Sequence, residues 1–95
     1  MKNNQLAETL AWSVYYQLKY EAQLSLLQID SAVCVLTAVV ELLSDDYFDS
    51  DAKSDTQDCI AGLKQLSQDL PLQELADTKV SSDQYKQLLS KLYWL

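Results

Sequence analysis

The chain has 95 residues, of which 48% are apolar, and its seven Lys against 14 Asp and Glu give a formal net charge of −7. This length suits one small domain, and the apolar fraction is too high for a disordered chain. The sequence has no His and no Arg, so it lacks the usual proton shuttle, the commonest metal ligand and the bidentate phosphate fork. We therefore expect a non-catalytic protein without metal or cofactor, whose negative charge opposes direct binding to nucleic acid.

Gly and Pro occur once each, which excludes a Gly-rich phosphate loop and disfavours a turn-rich β-sandwich. The spacing of the apolar residues instead predicts an all-α fold, a small bundle of four helices with a fifth, short helix as an alternative. Residues 1–95 would form a single helical domain. The predicted helices cover residues 5–28, 31–44, 55–70, 72–77 and 82–93, with an acidic loop at 45–53.

The long N-terminal helix is predicted from apolar residues that fall on one broad side at 100° per residue, among them Leu6, Val14 and Leu18. Asp30 and Ser31 supply an N-cap for the second helix and so separate it from the first. No Gly or Pro interrupts residues 5–44, so one uninterrupted helix is the alternative.

The second helix is predicted to be buried, because residues 32–43 are nearly all apolar, and Cys34 within it reads as a buried free thiol. This run of about 12 residues is too short to cross a bilayer, which needs about 20. The N-terminal residues lack the apolar segment and cleavage site of a signal peptide. We therefore expect a cytoplasmic protein that makes no membrane contact.

The third helix is predicted to begin at Ser54, which forms a capping-box spacing with Gln57. Cys59 falls on its apolar side and is expected to be a second buried thiol. Gly62 inside a helix costs up to about 1 kcal/mol relative to Ala and indicates a close helix crossing. Pro71 ends this helix.

The last helix is predicted from a second capping-box spacing, Ser81 with Gln84, and from an apolar stripe. That stripe consists of Tyr85, Leu88, Leu89, Leu92 and Leu95. The sequence carries no polar tail after it, so this apolar end either docks on the core or joins an interface.

Residues 45–58 form the most acidic segment, with six Asp against one Lys. The segment holds −5 of the net charge, whereas the other 81 residues, with eight acids and six Lys, hold −2. Read from Asp49, it lacks the Gly and Glu that a calcium loop needs at positions six and twelve. We predict an electrostatic surface with two aromatic anchors for a basic protein partner; the alternative is a solvated loop with helix-cap aspartates. The predicted partner-binding residues are Asp45, Asp46, Tyr47, Phe48, Asp49, Asp51, Asp55 and Asp58.

Spacings of four residues place Trp12, Tyr16 and Tyr20 on one face of the first helix. Tyr and Trp are common interface anchors, and they also occur at the edges of small cores. We therefore expect either a core-edge cluster or a homodimer interface that also buries the apolar C-terminal residues. The predicted oligomer interface comprises Trp12, Tyr16, Tyr20, Tyr93, Trp94 and Leu95.

These patterns favour a non-catalytic, acidic protein-binding module of the inhibitor, immunity, antitoxin-like or phage-antagonist kind, with a basic partner that could itself bind nucleic acid. One alternative is a structural or assembly protein, or a small chaperone, acting as a homo-oligomeric helical bundle. A further alternative is a small helical transcription or biofilm-type regulator, although the seven Lys are scattered and form no continuous basic stripe.

Overall fold

The structure, a computed structural model, describes residues 2–43, 50–67, 71–92 and 94. Helices hold 84% of these residues, in agreement with the predicted helical class. The α-helices and strands, in chain order, are α1 (Lys2–Tyr20), β1 (Gln23–Ser25), α2 (Leu26–Leu42), α3 (Ser50–Ser67), α4 (Leu72–Asp77) and β2 (Lys79–Ser81). Two 3₁₀ segments follow, η1 (Ser82–Gln84) and η2 (Lys86–Leu92).

The first two helices are divided earlier than the sequence predicts. α1 ends at Tyr20, and both Asp30 and Ser31 lie inside α2, so neither the predicted break nor a continuous helix is observed. The physical reason is a capping box at Ser25: its Oγ accepts from the Gln28 backbone N–H at 3.1 Å, and its own N–H donates to Gln28 Oε1 at 2.8 Å. These two bonds satisfy two backbone donors at the start of α2.

A two-stranded antiparallel sheet forms at residues 23–25, where the sequence predicts the end of the first helix, and at residues 79–81, between the last two predicted helices. Leu24 of β1 pairs with Val80 of β2, and both side chains are buried. The backbone pairing continues at both ends, where Leu26 N donates to Thr78 O and Ser82 N donates to Ala22 O. Strands of three residues are stable only through this long-range pairing and the packing around it.

The core is organised around α2, which packs against α1 and α3, while η2 packs against the same two helices. α1 and α3 are therefore joined mainly through α2 and η2. The larger core cluster includes Val14, Leu18, Ile29, Leu36, Leu63, Tyr85 and Leu92. A smaller cluster joins Ala7 and Ala11 of α1 to Val39 of α2 and to Leu43, which follows α2. The small side chains of the two alanines let α1 and α2 approach closely.

α3 begins at Ser50, so residues 50–53, the last part of the predicted loop 45–53, are helical. Ser54 and Asp55 lie inside α3 and do not cap it. The reason is a buried stripe at helical spacing that starts before the predicted cap: Ala52, Thr56, Cys59 and Leu63. Residues 44–49, which hold most of the predicted loop, lie outside the described residues.

The contact predicted at Gly62 is present, and its neighbour is η2. A Cβ added at Gly62 would lie 2.5 Å from Cδ2 of Leu88, so only a residue without a side chain fits unless Leu88 moves. The close crossing expected from this glycine is confirmed.

The C-terminal part forms 3₁₀ segments where an α-helix is predicted, and Ser81 makes no side-chain cap. Three-residue spacings, Tyr85 to Leu88 and Leu89 to Leu92, are compatible with the tighter 3₁₀ repeat. Tyr85 is fully buried, and its hydroxyl donates to the Glu21 backbone oxygen at 2.7 Å, which holds this segment on the end of α1. α4 occupies the predicted range, Leu72–Asp77.

Candidate protein-interaction surfaces

The acidic segment is described only in its C-terminal part. Asp51, Asp55 and Asp58 belong to α3, whereas the other five predicted partner-binding residues lie outside the described residues. Those five are Asp45, Asp46, Tyr47, Phe48 and Asp49. The grouping of Tyr47 and Phe48 with the aspartates therefore stays a prediction.

The three described carboxylates share one side of α3, because residues four and three positions apart are neighbours on a helix surface. Asp51 and Asp58 are exposed and Asp55 is half-buried. Together they extend about 10 Å along the helix axis. Lys91 of η2 lies 3.7 Å from the Asp58 carboxylate, and both side chains are well solvated, so this ion pair contributes little to stability.

The aromatic face, defined as Trp12, Tyr15, Tyr16, Lys19 and Tyr20, lies on the outer surface of α1. The rings of Trp12 and Tyr16 stack with centroids 5.3 Å apart, and those of Tyr16 and Tyr20 stack at 6.0 Å. Tyr15 meets Trp12 edge to face at 5.3 Å. The predicted alignment of Trp12, Tyr16 and Tyr20 on one face is therefore present as a continuous stack.

Tyr16 and Tyr20 point away from the core, whereas Tyr15 is partly buried and packs against the larger core cluster. Nine residues, or two and a half helical turns, separate Tyr16 from the buried Ala7, so the two side chains lie on opposite sides of α1. Tyr16 is 51% exposed and Tyr20 69% exposed. Lys19 Nζ lies 5.5 Å from the Tyr15 ring centroid and 5.4 Å from that of Tyr20, in cation–π contact with both. Tyr16 and Tyr20 are thus outside the core rather than at its edge.

Trp94 lies apart from the aromatic face and packs against α3 and the smaller core cluster. Its indole Nε1 donates to Thr56 Oγ1 at 2.8 Å, and its ring packs against the smaller cluster that contains Ala7 and Ala11. The sequence predicts that the apolar C-terminal end either docks on the core or joins an interface, and Trp94 docks on the core. It therefore does not join Trp12, Tyr16 and Tyr20 in one surface, and Tyr93 and Leu95 lie outside the described residues.

The charge is distributed unequally between these two surfaces. Residues 2–20 carry Lys2 and Lys19 against Glu8, a net +1, so the rest of the chain carries −8. The outer side of α1 is therefore the charge-poor surface of a strongly acidic protein.

Comparison with known protein families, curated proteins and solved structures gave no match to this chain. None of the helices in the described ranges has both the length and the hydropathy needed to cross a membrane. Among the same residues, no three Asp, Glu or Cys side chains converge as metal ligands.

The two thiols have opposite environments. Cys59 is buried as predicted, and burial raises its pKa from 9.0 to about 12, so it stays protonated at neutral pH. Cys34 is exposed, which contradicts the prediction of burial. Ser31 and Thr37, one turn before and after Cys34, are exposed polar residues. This three-residue spacing places Cys34 on the exposed side of α2, although the residues next to it in the sequence are apolar.

Proposed function

We propose that this chain is a non-catalytic protein-binding module that engages a basic partner protein through the acidic segment 45–58. The observation that supports this function is the shared side of Asp51, Asp55 and Asp58 on α3, directly after the acidic residues 45–49. The fold would be a small helical bundle that presents the segment to a partner in the cytoplasm. An inhibitor, immunity protein or antitoxin-like regulator of a nucleic-acid-binding protein fits this arrangement.

The energetics of α3 support a binding role for these carboxylates. Asp51 stabilises the helix from its first turn, where the macrodipole favours negative charge. Asp55 and Asp58 lie beyond that turn, and like charges at neighbouring helix positions cost about 0.2–0.5 kcal/mol per pair. The arrangement therefore lowers helix stability slightly, and a cationic partner surface would relieve that repulsion.

The segment would act first on the rate of association. Exposed charges of one sign attract a complementary surface before contact, and salt screens this attraction over about 8 Å at physiological ionic strength. Tyr47 and Phe48 would then provide the apolar contacts that slow dissociation. Association should therefore depend strongly on salt, and dissociation much less.

The test is affinity capture from the native host with two matched triple variants. The site variant carries Asp51→Asn, Asp55→Asn and Asp58→Asn; the control carries Glu74→Gln, Asp77→Asn and Asp83→Asn, which are exposed positions outside the segment. Both lose three negative charges, so they differ only in where the charge is lost. We expect the wild type and the control to retain one basic protein that the site variant loses; equal capture by all three would contradict the proposal.

The aromatic face favours a second candidate function, in which the chain acts as a structural or assembly protein. Exposed, stacked rings on a charge-poor helix surface are typical of an interface. This candidate is compatible with the first, because the aromatic face and the acidic segment belong to different helices.

A further inference from the structure

The large hydrophobic residues that are exposed in the described part of the chain are concentrated on α1. Of the four large hydrophobic residues exposed there, Leu6, Tyr16 and Tyr20 belong to α1, with exposures of 49%, 51% and 69%, and the fourth is Leu72 of α4. Single exposed apolar residues are ordinary, but several joined along one helix indicate a contact surface.

The charge distribution indicates which occupant suits this surface. The chain outside residues 2–20 carries −8, so two copies repel each other over most of their surfaces. The outer side of α1, with its net +1 helix, is where two copies approach with the least repulsion. A polyanion would meet only Lys19 on the aromatic face and the acidic remainder beyond it.

Two charged residues on one side of α1, Glu8 and Lys19, are complementary to the same residues of a second copy. Glu8 and Lys19 lie 11 residues apart, about three helical turns, so they share one side of α1 but are separated by about 16 Å along it. Neither has an ion-pair partner among the described residues. An antiparallel copy of α1, related by a two-fold axis at the level of Ser13, brings Glu8 of each chain opposite Lys19 of the other.

The same axis pairs the apolar residues. Leu6 and Tyr20 are centred near Ser13 as well, on the other side of Tyr16 from Glu8 and Lys19, so Leu6 of one copy meets Tyr20 of the other. Two different pairs, one charged and one apolar, thus favour the same register.

We propose that two copies of this chain associate through antiparallel packing of α1 against α1, about a two-fold axis near Ser13. The interface is isologous, so each contact occurs twice. α1 is about 28 Å long, which makes the contact smaller than a standard stable interface of about 800 Å² per partner and the association reversible. The acidic side of α3 stays uncovered, so the dimer would present it twice; the inference does not rest on the proposed partner binding.

The test is sedimentation equilibrium of the full chain from about 10 µM to about 1 mM, at low and moderate salt. Tyr16→Ser should raise the dimer dissociation constant about tenfold or more, as expected for a central aromatic anchor. Leu72→Ser, which removes an exposed large hydrophobic residue from α4, is the control and should leave that constant unchanged. A wild type that stays monomeric throughout, or a dimer insensitive to Tyr16→Ser, would overturn the proposal.

Charge reversal tests the antiparallel register. Glu8→Lys alone and Lys19→Glu alone should each weaken the dimer several-fold at low salt, because each places like charges opposite one another. The double variant restores opposite charges and should associate more strongly than either single variant. Glu8→Lys makes the net charge of each copy less negative. Weaker association of this variant therefore cannot come from overall charge repulsion between the two copies. Failure of the double variant to recover association would overturn this register.

Discussion

Trp94 and Thr56 are joined by a hydrogen bond in which the indole N–H donates to the threonine hydroxyl oxygen at 2.8 Å, and this bond ties the C-terminal end of the described chain to the middle of α3. Thr56 is fully buried, and its hydroxyl in turn donates to the Ala52 backbone oxygen at 2.8 Å. The hydroxyl therefore serves as acceptor and donor at once.

Thr56→Val should lower the free energy of unfolding by about 1–2 kcal/mol, because the change keeps the shape but removes both hydrogen bonds. Thr56→Ser, which keeps the hydroxyl, is the control and should cost less. Urea unfolding followed by circular dichroism measures both. Equal losses for the two variants would show that the methyl group, and not the bond to Trp94, matters at this position.

Tyr85 should make the fold sensitive to alkali. Burial, with a further contribution from the Glu21 carboxylate, raises the Tyr85 pKa above its ordinary 10.0. The native state therefore holds the phenol proton that the unfolded chain releases near pH 10, so this contribution to stability is present below that pH and is lost as pH rises above it. Tyr85→Phe should flatten the alkaline decline of the unfolding free energy and lower stability at neutral pH by about 1 kcal/mol. An alkaline decline unchanged by Tyr85→Phe would contradict this assignment.

Thiol chemistry should distinguish the two cysteines. An aromatic disulfide reagent at neutral pH should modify one thiol quickly, at exposed Cys34, and leave Cys59 unmodified because it is buried and its pKa is about 12. Cys34→Ser should remove the fast phase, and urea should release the slow one together with unfolding. Rapid modification of two thiols in the native protein would contradict the core described around Cys59.

Gly62 and Leu88 should be energetically coupled. In the wild type, Gly62→Ala combines a gain in helix propensity of up to about 1 kcal/mol with crowding against Leu88 Cδ2. In a Leu88→Ala background the crowding is gone, so Gly62→Ala should stabilise the protein by up to about 1 kcal/mol. A double-mutant cycle in urea measures the difference. If the effect of Gly62→Ala is the same in both backgrounds, the close approach of α3 and η2 is not as described.

Short-range sequence patterns predicted the helical class, most of the buried faces of α1 and α3 and the close crossing at Gly62, because each depends on neighbours within a few turns. Leu6 is the exception: its spacing predicts that it joins the apolar side of α1, but it is 49% exposed. The division between α1 and α2 depends on competition between two caps. Ser25 and Gln28 have the same capping-box spacing as Ser54 and Gln57. Asp30 and Ser31 are an alternative N-cap in the sequence, and only the pairing of β1 with β2 decides in favour of Ser25. That pairing joins residues more than fifty positions apart and leaves no local signal.

For the candidate surfaces too, short-range features could be predicted from the sequence and long-range contacts could not. The alignment of Trp12, Tyr16 and Tyr20 follows from helical spacing alone, so it was predictable. The separation of Trp94 from them was not, because it depends on how the C-terminal residues fold back onto α3 and the smaller cluster.

The most direct measurement of the central claim is the association rate constant with the captured basic partner, measured as a function of ionic strength for the wild type and the two triple variants. We predict a steep fall in rate with salt for the wild type and for the Glu74, Asp77 and Asp83 control, a shallower fall for the Asp51, Asp55 and Asp58 variant, and dissociation rates that change little. Equal salt dependence for all three proteins would contradict a binding role for the acidic segment.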